Sequence, residues 1–145
     1  MITAFNFAVY GEPVGKGRPK FSTVNGHAVA YTPKKTANYE NLVKLSYKQA
    51  FPEEKPFEKD VQLKVSIRAY FSIPKSATKK KRQAMIDGEI RPTKKPDTDN
   101  IAKAVCDALN GIAYYDDSQI VELTVSKSYS ENPKVLVRIE GKATE

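Results

Sequence analysis

Tryptophan is absent from this 145-residue chain, and cysteine and histidine occur once each, as Cys106 and His27. A lone cysteine excludes an internal disulfide and a thiolate-rich zinc site. With a single histidine, any bound metal has to rely mainly on oxygen donors. No apolar run approaches the roughly 18 residues of a membrane helix. The opening stretch MITAFNFAVYGEP has neither the basic leader nor the apolar length of a signal peptide. The sequence therefore reads as a cytoplasmic protein with no membrane partner. Its length suits one domain over residues 1–145.

Acidic charge is also in short supply. The chain carries 24 Lys and Arg against 17 Asp and Glu, a formal net charge of +7. The excess is local. Residues 14–48 hold seven basic residues (among them Lys16, Arg18 and Lys20) against one acid, Glu40. Residues 75–103 hold nine, including Lys94 and Lys95, against four. Two such stretches on a mildly acidic remainder suit a polyanion such as nucleic acid, although a solvated surface with a chance bias would look the same.

Periodicity gives the elements. Thr3–Tyr10 and Val61–Ile73 alternate as strands, and Ile120–Tyr129 and Val135–Ile139 read as a strand pair joined at Glu131-Asn132-Pro133. Asn25-Gly26 marks a hairpin within Phe21–Tyr31. Thr32-Pro33 opens a helix with Tyr39, Leu42, Val43 and Tyr47 on one face. Thr78–Asp87 reads as a short basic helix ended at Gly88. Asp99–Asn110 reads as an amphipathic helix ended at Gly111. The order implies an α+β fold, with a mixed or largely antiparallel sheet packed against helices.

The chemistry lies in residues 94–123, KKPDTDNIAKAVCDALNGIAYYDDSQIVEL. Asp97 and Asp99 flank a helix start, and Asp116-Asp117 precedes a strand. Singly, each is an ordinary cap or turn residue. Together, at points a compact fold brings close, four carboxylates would repel unless they held a cation. Their hard oxygens suit Mg²⁺, or Mn²⁺ in its place. Beside a basic surface, that is the equipment for hydrolysing a phosphodiester. Lys103, one turn after Asp99, would add positive charge where the transition state gains negative charge. Asp99, Lys103 and Asp107 would equally form a plain surface ion-pair ladder.

Gly11–Lys20 (GEPVGKGRPK) lacks the P-loop pattern, so no nucleotide cofactor is expected. Its glycines would let Lys16, Arg18 and Lys20 lie close along DNA, or would simply make a turn between strands. Tyr10, Phe21, Tyr31, Tyr114 and Tyr115 are either core or platforms for an unstacked base.

The run Pro96-Asp97-Thr98-Asp99-Asn100-Ile101-x-Lys103, then Asp107-Ala108-Leu109-Asn110-Gly111, then Asp116-Asp117-x-Gln119-Ile120, resembles the signature of the RusA family of Holliday junction resolvases. The Gly11–Lys20 loop resembles that family's N-terminal loop, so the resemblance spans most of the chain. It implies a small endodeoxyribonuclease, often prophage-encoded, that acts as a homodimer on four-way DNA junctions. It further implies paired Mg²⁺-dependent nicks, with Asp97, Asp99 and Asp117 as metal-site acids, Asp116 as an accessory and Lys103 as a required cation. Two rivals remain open on the residues alone: a non-catalytic junction-binding module, and a nuclease of the same chemistry directed at flaps or other branched DNA.

Overall fold

A computed structural model describes residues 1–142. The described residues form six strands and three helices, in the order β1 (Ile2–Tyr10), β2 (Lys20–Val24), β3 (His27–Tyr31), α1 (Lys34–Ala50), β4 (Gln62–Ser72), α2 (Lys79–Ile86), α3 (Thr98–Ala108), β5 (Ile120–Ser130) and β6 (Lys134–Lys142). A single 3-10 turn, Asp117–Gln119, leads into β5. The arrangement is α+β. A four-stranded sheet runs in the order β1-β6-β4-β5, and β2 and β3 form a separate hairpin.

The sheet is mixed. β6 pairs antiparallel with both β1 and β4, whereas β4 and β5 pair parallel. The expected β5–β6 hairpin is thus replaced by a jump. Glu131-Asn132-Pro133 carries the chain past the end of β4, and β6 enters on its far side. Two strand spacings are about 10 Å, which three extended residues can span. Alternation in each strand is a property of one strand and is blind to its neighbour, so sequence adjacency was a misleading guide here.

One face of the sheet is covered. Strand residues Phe7, Val9, Leu63, Val65, Ile67, Val135 and Ile139 meet helix residues Tyr39, Val43, Tyr47, Ile101, Val105 and Leu109 in a single core. The helix stripes match their periodicity, except that Leu42 stays 40% exposed. Thr32 does not cap α1. The N-cap is Pro33, with no side-chain cap bond, and Thr36 turns inward, 2% exposed, to accept the Gly17 N–H at 2.9 Å. Thr78 does cap α2, accepting the Lys81 N–H at 3.2 Å, and Gly88 ends that helix at φ 81°.

Candidate active site

α3 carries the first part of the site. Its inner face is apolar, with Ile101, Ala102, Ala104, Val105, Cys106 and Ala108 buried, so the helix is held firmly on the sheet. Asp97 is its N-cap by backbone position, yet the carboxylate makes no cap bond. Asp97, Asp99 and Lys103 are exposed.

The second part is the turn into β5. Gln119 organises it: its side-chain oxygen accepts the N–H groups of Tyr115 and Asp116 at 2.9 and 3.1 Å, and its amide nitrogen donates to the Glu58 carbonyl at 2.7 Å. Asn110, at the end of α3, accepts the Asp117 N–H at 2.9 Å. These bonds hold the turn's backbone and do not use the Asp117 carboxylate. Asp117 and Lys103 line one open hollow of about 290 Å³, with Ala102, Cys106, Ile120 and Leu123 as its apolar remainder.

Asp116 is differently employed. Its carboxylate accepts the Ser118 N–H at 3.1 Å and completes a capping box with Gln119. Hydrogen bonds from the Ser118 side chain and backbone hold its pKa below the usual aspartate value. The expected gathering of four carboxylates is not present as a preformed cage. Among the described residues, no group of three His, Cys, Asp or Glu side chains stands close enough to hold a metal ion. The donor chemistry still fits a hard cation. Mg²⁺ is commonly held by one or two carboxylates, with water and substrate phosphate completing its shell.

Lys16, a candidate DNA contact by sequence, is held in ion pairs within the protein. It donates to Glu40 of α1 at 2.9 Å and lies 3.4 Å from Asp107 of α3, which also meets Lys103 at 3.5 Å. Burial works against the charge on Lys16, but Glu40 and Asp107 outweigh it and hold its pKa above the ordinary lysine value. The Lys103–Asp107 part of the ion-pair ladder is real, and Lys16 extends it between the two helices. The glycines of this loop approach the protein's own helices. The Lys16 N–H donates to the Asn100 carbonyl at 2.8 Å, and a Cβ on Gly15 would meet Pro96 Cβ at 2.8 Å.

Arg18, Lys20 and Lys95 are exposed. Lys94 is exposed too, its ammonium 6.0 Å from the Phe71 ring centre, while the Arg91 side chain donates to the Lys127 carbonyl at 2.6 Å and pins this loop to β5. Of the aromatics, Tyr114 is wholly buried, whereas Tyr10, Phe21, Tyr31 and Tyr115 are exposed. Cys106 is 6% exposed, and burial raises its thiol to about 11, so it is neutral at pH 7. Sequence pattern alone assigns no role to Glu40, Asn110 or Gln119. The latter two stand within the motif, but only the folded turn shows what they hold.

The family model for Endodeoxyribonuclease RusA matches residues 10–140. The chain belongs to the RusA family. It is accordingly a phosphodiester hydrolase of the endodeoxyribonuclease class. It is 31% identical over 139 residues to the protein named crossover junction endodeoxyribonuclease rusA of Lactococcus phage r1t, covering 93% of this chain and 95% of that one. It is 45% identical over 143 residues to the uncharacterized protein YqaN of Bacillus subtilis (strain 168), covering 95% and 96% respectively. RusA-type nucleases are generally dependent on a divalent metal, which agrees with the all-oxygen donor set of the site. No helix among the described residues is long and apolar enough to cross a membrane.

Proposed function

We propose that this RusA-family chain is a Mg²⁺-dependent resolvase of four-way DNA junctions, working as a homodimer in the cytoplasm. The observation that carries the reading is that Lys103 and Asp117 line one hollow, with Asp99 one helical turn before Lys103 in the first turn of α3. Asp97, Asp99 and Asp117 would hold the cation, with Asp116 chiefly shaping the turn. The bound cation would polarise the scissile phosphate and lower the pKa of an attacking water. Lys103 donates to a non-bridging phosphate oxygen and offsets charge that grows in the transition state. Asp107 keeps that ammonium near the helix until DNA arrives. Arg18, Lys20, Lys94 and Lys95 contact backbone phosphates, so binding should weaken steeply with salt.

A four-way junction has approximate two-fold symmetry, and its resolution needs two cuts. A two-fold dimer presents two identical sites related by the same operation.

The test is a labelled synthetic junction beside a linear duplex, with Mg²⁺ and with chelator. Paired symmetric nicks in the junction alone, dependent on Mg²⁺, support the assignment. Asp97→Asn should bind the junction and leave it intact. Turnover of Asp97→Asn at the wild-type rate would remove Asp97 from the metal site. Equal cutting of flaps and junctions would make the protein a general branched-DNA nuclease.

A further inference from the structure

The β2–β3 hairpin has no partner in the fold. Every residue of both strands is exposed. Phe21 is 72% exposed, Val24 51%, Val29 43% and Tyr31 48%. Beyond their own pairing, neither strand makes more than marginal contact with another element. Its shape is nonetheless well specified. Asn25 and Gly26 both have positive φ, 51° and 79°, the geometry of a two-residue hairpin turn whose twist matches its strands. Five residues per strand reach roughly 17 Å from root to turn. An isolated two-stranded ribbon is marginal in water, and exposed apolar side chains on such a ribbon point to a surface that covers them.

The charge around the ribbon says what that surface is. Residues 13–39 contain no Asp or Glu. Their cations are Lys16, Arg18, Lys20, Lys34 and Lys35. Lys16 is neutralised by Glu40 and Asp107. The other four are exposed around the ribbon's root. A covering surface must therefore bring dense negative charge and a slot of ribbon width. Duplex DNA supplies one negative charge per roughly 1.7 Å and a major groove about 12 Å wide that admits a two-stranded ribbon. A second copy of this chain, at +7, is poorly matched to the same surface.

We infer that the β2–β3 hairpin is a DNA-gripping arm. It lies in a groove of a junction arm, with Lys34 and Lys35 joining Arg18 and Lys20 on the phosphates at its root. The inference rests on the proposed DNA substrate but not on cleavage.

The experiment uses the full chain in chelator, where binding is read without cutting. A clipped variant joins Phe21 to Ala30 through Asn-Gly, removing residues 22–29 and no Lys or Arg. Since the hairpin makes no more than marginal contact with other elements, the clipped variant should keep the wild-type melting temperature. Its affinity for a long-armed junction should fall roughly tenfold or more, equivalent to about 1.4 kcal/mol. Lys34→Ala with Lys35→Ala should lower the slope of log affinity against log salt by roughly 2. Benzoylphenylalanine in place of Phe21 should photocrosslink to DNA. Wild-type affinity in the clipped variant, or crosslinks to a second protein chain in place of DNA, would overturn the arm while leaving the resolvase reading intact. If the wild-type protein bound no junction at all, both would fall.

Discussion

At the scale of single residues, the site separates groups that sequence pattern presents as equals. Asp116 and Asp117 are neighbours, yet one carboxylate accepts a turn N–H and the other faces a hollow beside Lys103. Asp116→Ala should lower the unfolding midpoint modestly and keep part of the activity, whereas Lys103→Ala should slow single-turnover cleavage by roughly 100-fold with little change in junction affinity. An unchanged rate for Lys103→Ala would remove it from the chemistry. Lys16 and Arg18 divide in the same way. Lys16→Met breaks the tie between Glu40 and Asp107 and should cost about 1 kcal/mol in urea unfolding, leaving the salt slope of DNA binding unaltered. Arg18→Ala should do the reverse. The motif made these residues visible; their division of labour depends on hydrogen bonds between segments distant in sequence.

At the scale of elements, the Gly11–Pro19 loop is the unexpected part. Its glycines and cations suit a strip offered to DNA or a plain turn, and in the fold it packs as a wedge between the starts of α1 and α3. Gly17 donates to Thr36, the Lys16 backbone donates to Asn100, and Gly15 packs on Pro96. The loop therefore positions the very helix start that carries Asp97 and Asp99. Gly15→Ala places a Cβ 2.8 Å from Pro96 Cβ and 3.1 Å from Asn100 Cβ, so loop or helix must shift. The expected cost is roughly 1–3 kcal/mol of stability, with a loss of cleavage larger than the loss of junction binding. Unfolding curves and single-turnover rates on the same preparation would check both. Glycine spacing showed that something comes close to this backbone; it did not show that the something was α3.

At the scale of the whole molecule, burial makes the fold sensitive to alkali. Desolvation raises Tyr39, Tyr47 and Tyr114, and it raises Cys106 to about 11. Glu40 and Asp107 raise Lys16 against the effect of its burial. In each case the folded chain holds its proton more tightly than the unfolded chain, so stability is fully present below the unfolded pKa and is lost as pH rises through the folded one. The urea midpoint should be flat from pH 7 to about 9 and fall progressively above it. A midpoint that rose above pH 10 would contradict the burial of these phenols.

The sequence by itself determined most of the local structure and the family. Alternation and helical spacing gave the strands and helices, because burial of one face acts within each element. Asn25-Gly26 determined the hairpin turn, and the all-oxygen donor set excluded a thiolate or histidine metal site. The D-x-D and Asp-Asp pairs, with Lys103, determined the family. Only the tertiary structure decided the sheet order, because strand periodicity carries no information about which strand lies alongside. Only it decided that Lys16 bridges two helices, that Asp116 is a cap, and that the β2–β3 arm stands clear of the core. Each of those depends on which distant segment fills the space beside a residue.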